Sequence, residues 1–376
     1  LRLGDFAFIT AQLPLAWLIS RIAASSLILL MESFMTDLPA SRESDGYSRR
    51  AVLGSAFAAA GTMAAMHGPF GLERVAQATV GDAPKPGKRY TMKKSINQWA
   101  FPYPDKMSIE QCLKLAKAAG FDAIELNYDL DNDLSPKSGT KEYTAIRQMA
   151  DKIGIQISGI CSFLFWPYPF TSHDPAKRAR ALELAGLIAQ AAHDLGTENV
   201  LVVPGAVHIP WRTDYEPVAN DLCLSRAKEA IGMLIPSAEK LKVNLNMENI
   251  FFNGFLMTPM EMNDFVDSFH SDRIHVHFDT GNIMQYQFPE HWIPILGKRI
   301  KNVHLKEFTK KGTDSSLEAF RPLLDGTTNW PAVLEAFEKI DYRGYLTFEY
   351  FHPYQHWPEA LVYQTADSLD RMLGIK

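Results

Sequence analysis

Two nearby stretches, IHVHFDTGN at 274–282 and KNVHLKEF at 301–308, decide how the rest of the chain is read. In a strand, successive side chains point to opposite faces. His275, His277 and Asp279 then share one face and Val276 and Phe278 the other. His304 and Lys306 likewise stand opposite Val303 and Leu305. A polar face backed by an apolar one is unusual in mid-sheet, but it suits a closed parallel barrel. Helices there cover the apolar face and the polar face lines the lumen. VNLNMEN (243–249) puts Asn244, Asn246 and Glu248 on one face, and GYLTFEYF (344–351) does so with Thr347 and Glu349. Four successive strands thus carry Glu248, Asp279, His304 and Glu349 at or near their C-terminal ends, where a barrel keeps its chemistry.

Outward from this core, short apolar runs alternate with amphipathic segments eight times from Ser95 onward. The predicted strands are 95–101, 121–129, 155–162 and 199–205, followed by the four above. Between them helices are expected from Ser108 to Gly120, over Tyr143–Ile153, from Asp174-Pro175 to Gly196, and over about Leu222–Lys240. Further helices open at Thr258-Pro259, surround Trp292–Leu296, span Trp330–Lys339 and close the chain at Trp357–Leu373. Asp174 before Pro175 reads as an N-cap with proline in the first turn, and Gly120 and Gly196 as C-terminal stops. With no hairpin signals, the pattern predicts an α/β fold, a single-domain (β/α)8 TIM barrel over 92–376.

The residues before it read as leader. SRRAVLGSAFAAAGTMAAM (48–66) sets Arg49-Arg50 before an Ala-rich apolar run, and Ala76-Gln77-Ala78 offers a cleavage site. This resembles a twin-arginine export signal, so the expected division is an over-extended leader over 1–34, a signal over 35–78 and a linker over 79–91. The expected location is periplasmic or secreted, with no stable membrane association after signal removal. The alternative is a membrane anchor in the apolar run Phe6–Met31.

A net charge of −5 across 376 residues, with no basic block interleaved with aromatics, argues against a nucleic-acid partner. Cys112, Cys161 and Cys223 form no CxxC pair and read as buried thiols.

KLAKAAGFDAIEL (114–126), NMEN (246–249), HFDTGN (277–282), NVHLKEF (302–308) and the run 326–350, in this order, resemble the xylose isomerase-like barrel family. That group of sugar isomerases and epimerases includes hydroxypyruvate isomerase. The resemblance implies a divalent ion held by Glu248, Asp279, His304 and Glu349. One departure is Asn282, which stands where many relatives have histidine. Three carboxylates and one imidazole form a hard set, suited to Mn2+, Mg2+ or Co2+ more than to a structural zinc. Such an ion would stabilise an enediolate, with Glu248 and Glu349 as the acid–base pair. The expected function is isomerisation or epimerisation of a keto-sugar or small hydroxy-ketone. A lyase or dehydratase on a keto-sugar or keto-glycoside is the close alternative, and a non-catalytic exported sugar-binding protein the more distant one. An abasic-site endonuclease shares the fold but needs additional histidines and a basic face.

Candidate substrate contacts are Lys306, Asn282, His277, Asn246, Trp99, Trp166 and Glu125. His277 and Asn246 fall one layer below the ligands, where layer packing competes with binding, and His275 deeper still. Lys306 would orient an oxyanion or hydroxyl, or pair with a lumen carboxylate such as Glu125. Rim aromatics including Phe163, Phe251 and Phe351 suit the CH faces of sugars, or equally loop packing or a homo-oligomer interface. After strand eight comes YFHP (350–353), with no glycine to bring backbone N–H groups to a phosphate, although Gly312 and Gly326 occur after strand seven. An unphosphorylated ketose or keto-glycoside is therefore expected.

Overall fold

Period-two alternation backed by helix caps builds a barrel whose strands all run parallel. The computed structural model describes residues 89–376 apart from 252, 312–316 and 352. The leader, the signal and 79–88 of the linker lie outside the described residues. The barrel strands are β1 (Lys93–Asn97), β2 (Ala123–Asn127), β3 (Gln156–Cys161), β4 (Asn199–Val202), β5 (Asn244–Glu248), β6 (Ile274–Asp279), β7 (Ile300–Leu305) and β8 (Tyr345–Phe348). They close in the order β1-β8-β7-β6-β5-β4-β3-β2. The intervening helices are α1 (Ile109–Ala119), α2 (Thr140–Ile153), α3 (Pro175–Leu195), α4 (Asn220–Leu241), α5 (Pro259–Asp267), α6 (Pro289–Leu296), α7 (Trp330–Lys339) and α8 (Glu359–Met372). This is the (β/α)8 barrel that the alternation predicts.

The caps fall where the side chains dictate. Ser108 and Gln111 form a reciprocal capping box at α1, and Gly120 ends it in the left-handed region at φ 95°. Asp174 caps α3 with Pro175 in its first turn. α2 starts at Thr140, earlier than expected, because the Glu142 carboxylate accepts from the Gly139 N–H at 3.0 Å and caps the helix without a side chain at Gly139.

Two strands end sooner than their apolar runs suggest. β1 stops at Asn97, whose side chain accepts from the Trp99 N–H at 2.8 Å and turns 98–100 into a 3-10 helix. β8 stops at Phe348, so Glu349 stands just beyond the sheet. A feature that carried no hairpin signal also appears: Glu307–Phe308 pairs antiparallel with Phe320–Arg321 inside the loop after β7.

The core lies between sheet and helices. Val276, Phe278, Val303 and Leu305 are fully buried, and Phe278 packs against Trp292 of α6 and Phe337 of α7. The lumen is polar: Asn97, Glu125, His277, Asp279, Asn302 and His304 are equally buried but face inward.

Candidate active site at the C-terminal mouth

The four expected ligands converge. Glu248, Asp279, His304 and Glu349 each offer an atom, and these atoms all lie within 4.8 Å of one another. Register brings them level: Asp279 sits opposite His304, and Thr347, two residues before Glu349, also pairs with His304.

Asp279 and His304 are oriented from behind. The Asn249 amide donates to the Asp279 carbonyl at 2.8 Å and its oxygen accepts from the Asp279 N–H at 2.9 Å, clamping β5 to β6. Asp279 Oδ1 accepts from the N–H groups of Gly281 (2.7 Å) and Asn282 (2.8 Å), which leaves Oδ2 turned to the site. Gly281 is required here, since a Cβ would lie 2.7 Å from the Lys306 carbonyl oxygen. His304 Nε2 meets Glu125 at 2.5 Å, and Nδ1, without a hydrogen bond, faces Glu248 at 3.6 Å and Glu349 at 3.5 Å. This carboxylate–imidazole pair is the usual support of a metal-binding histidine.

The electrostatics call for positive charge. Burial, opposed by the contact from His304 and reinforced by Glu349 and Asp279, pushes the Glu248 carboxyl up to about 7. Burial raises Glu349 too, against the pull of Lys306 and His304. Burial works against the Lys306 ammonium, but Asp279 and Glu349 outweigh it and hold it above the usual lysine range. Three buried carboxylates with one imidazole nitrogen facing them are a donor set that a divalent cation fits.

The other candidates separate into two groups. Lys306, Asn282, Trp99 and Trp166 line the cavity of about 350 Å3 above the ligands. Lys306 Nζ is bound to Glu349, Asp279 (3.1 Å) and Asn282 Oδ1 (3.2 Å), and lies 4.9 Å from the Phe320 ring and 4.8 Å from that of Phe351. Its carboxylate partners are thus Asp279 and Glu349 and not Glu125, which is taken by His304. Glu125, His277 and Asn246 lie in the lumen and not among the cavity-lining residues. Glu125 accepts from Asn97 at 2.7 Å, and Asn246 donates to Asn199 at 3.1 Å. The His277 ring packs edge-on against His304, and burial, then His304 and Lys306, hold it well below its usual pKa. His275 is half-buried at the opposite end of β6, its Nε2 against the Asp272 carbonyl.

The sequence reasoning missed Trp211, Phe320 and Glu307. Trp211 lies in the loop between β4 and α4 and meets Trp166 edge-on at 4.9 Å. Phe320 reaches the cavity through the small ribbon. The Glu307 carboxylate accepts from the N–H groups of Leu324 and Thr328 (3.1 Å each), from the Thr328 hydroxyl (2.6 Å) and from the Trp330 indole (2.6 Å). The available signal was loop length after β4 and β7, with aromatics inside it.

Comparison with known proteins agrees with this fold. A protein of Haemophilus influenzae provisionally named as an L-ribulose-5-phosphate 3-epimerase is 26% identical, over 68% of this chain and 88% of its own. The L-ribulose-5-phosphate 3-epimerase of an Escherichia coli O1:K1 strain is 24% identical, over 68% of this chain and 86% of its own. The solved structure of an L-ribulose 3-epimerase superposes with a TM-score of 0.61 at 20% identity, covering 75% of this chain and 94% of that one. The description of the xylose isomerase-like TIM barrel matches residues 113–372, and the chain belongs to that family.

Proposed function

We propose that the protein is a divalent-cation-dependent ketose epimerase that inverts C3 of an unphosphorylated ketose. The observation that carries this reading is the placement of Glu248 and Glu349. They project from β5 and from the end of β8, strands separated by β6 and β7, and line one cavity. Inversion needs a base on one face of a carbon and an acid on the other.

Glu248, Asp279, His304 and Glu349 would hold the cation. Bound there, it supplies Lewis-acid polarisation of the C2 carbonyl, and the hard donor set favours Mn2+, Co2+ or Mg2+. One carboxylate, Glu248 in one direction of reaction, takes the C3 proton. The C–H electron pair becomes the C2–C3 double bond of an enediolate. Glu349 returns a proton to the opposite face, and the double bond reverts to the carbonyl. Lys306 fixes Glu349 and offers its ammonium to the cavity floor. The aromatic wall excludes water from the enediolate.

The named activities of the relatives, 3-epimerisation of a ketose or its phosphate, support the reaction type. Two features support the absence of phosphate. Among the described residues lining the cavity, Lys306 is the only cation, and carboxylates already engage it. The loop after β7 and the start of α7, where barrels often seat phosphate, are filled by the Glu307 carboxylate. The test is incubation of Mn2+-loaded protein with fructose in D2O, followed by NMR. Deuterium at C3 with formation of the C3 epimer is expected; recovery without deuterium of fructose and of its O-substituted derivatives alike would refute the reading.

A further inference from the structure

The floor and walls of the cavity are chemically unlike. Charged groups gather at the floor, in Glu248, Lys306 and Glu349 with Asn282 beside them, and the rest of the lining is mainly carbon, with Ser162, Glu318 and Tyr350 its polar side chains. Four of the loops that build the outer wall bring their aromatics together in pairs. Trp99, after β1, meets Phe351, after β8, at 5.0 Å, and Trp166, after β3, meets Trp211, after β4, at 4.9 Å. Large aromatic surface is left open: Phe163 is 44% exposed, and Trp211 and Phe351 38% each.

A free ketohexose fits this division poorly. Its reacting oxygens find the floor, but its tail hydroxyls would meet indole and phenyl faces. A buried hydroxyl without a partner costs about 1–3 kcal/mol. The volume of about 350 Å3 also falls in the range of roughly 300–1,000 Å3 typical of drug-sized ligands. A phosphate on the tail is no better matched, since the described wall residues include no cation.

We infer that the substrate is a ketose bearing a second, neutral ring, joined through a terminal oxygen and stacked on the Trp166–Trp211 wall. This rests on the ketose reading above and adds what lies beyond the reacting carbons. Sugar rings and aromatic aglycones share the required chemistry, a flat or CH-rich apolar face with polar edges turned to solvent.

The experiment measures kcat/KM for C3 deuterium exchange with five compounds: fructose, 6-O-glucosyl-fructose, 1-O-glucosyl-fructose, 6-O-phenyl-fructose and fructose 6-phosphate. At least one ring-bearing ketose should exceed fructose by more than about tenfold, equivalent to about 1.4 kcal/mol. Preference for a glucosyl or for the phenyl compound tells the two ring sources apart. Trp166→Ala and Trp211→Ala should each lower the ratio of ring-bearing ketose to fructose several-fold, and Trp211→Phe should retain most of it. If fructose exchanges but no ring-bearing ketose gains, the inference is overturned and the epimerase reading stands; if the phosphate is preferred, the inference falls, and of the epimerase reading only the reaction stands, without its unphosphorylated substrate. If no ketose exchanges its C3 proton, both fall.

Discussion

The Glu125 carboxylate lies 2.5 Å from Nε2 of His304, both side chains fully buried beneath the cavity floor. Asn97 and Asn302 hold Glu125 from the sides, at 2.7 and 3.3 Å. By accepting a hydrogen bond from Nε2–H, Glu125 leaves the lone pair of Nδ1 facing Glu248 and Glu349. Glu125→Gln keeps the volume and loses the charge. It should weaken divalent-cation affinity about 10–100-fold, the usual effect of removing such a support, as read by chelator competition. Unchanged affinity would reduce Glu125 to lumen packing.

Glu248→Gln and Glu349→Gln each remove a proton carrier and weaken a ligand. Turnover should fall at least about 10²-fold in each, the scale of lost acid–base catalysis. Activity of the unmodified protein should vanish with excess chelator and return with Mn2+, Co2+ or Mg2+. Exchange of substrate protons at the normal rate in either variant would show the role to be misassigned.

The barrel and the convergence of Glu248, Asp279, His304 and Glu349 could be read from the sequence because period-two alternation survives burial. A strand lining a lumen must alternate, and the last inward position before the loop is where ligands fall. Pairing across the lumen could not be read this way. Lys306 could be placed on the inner face of β7, but its choice of Asp279 and Glu349 over Glu125 depends on the stagger of eight strands. Trp211 and Phe320 come from irregular loops, which have no period to betray them. β1 looked longer than it is because Trp99 and Phe101 extend the apolar run; the Asn97 side chain breaks it by capping.

The export reading makes a separate prediction for residues outside the described part. If Arg49-Arg50 directs twin-arginine transport, Arg49→Lys with Arg50→Lys should hold the full-length chain in the cytoplasm of its host. Cell fractionation would show the shift, and unaltered export would discard the reading.

At the N-terminal end of the barrel, Asp370 of α8 binds Lys94 of β1 and, at 2.8 Å, Lys376. Burial alone would raise this carboxyl; the hydrogen bonds from Lys376 and Lys94 outweigh it and hold the carboxyl below the ordinary aspartate range. A carboxyl depressed in the folded state stabilises fully above its unfolded value, about 3.9. That contribution is lost as pH falls through the folded value. Asp370→Asn should therefore destabilise at neutral pH, where Lys94 is left buried beside an uncharged group. The difference from the parent in urea unfolding should narrow toward about pH 3, and a constant difference would contradict the charge argument.

Glu307 is the last case, because its carboxylate does for the loop after β7 what an anionic ligand does elsewhere. It gathers the Leu324 and Thr328 N–H groups, the Thr328 hydroxyl and the Trp330 indole, while Gly326 packs so closely that a Cβ there would lie 2.2 Å from Glu307 Oε1. The same loop carries Phe320, whose ring lies 4.9 Å from the Lys306 ammonium. Glu307→Ala strips the buried Trp330 indole and three part-buried donors on Leu324 and Thr328 of their acceptor. A stability loss of about 1–3 kcal/mol is expected, read from denaturant unfolding. The loop over 309–329 should also be cut sooner by protease, and kcat/KM should fall while cation affinity is retained, since no ligand touches Glu307. Loss of cation binding together with activity would show that the loop supports the ligands and not the cavity wall.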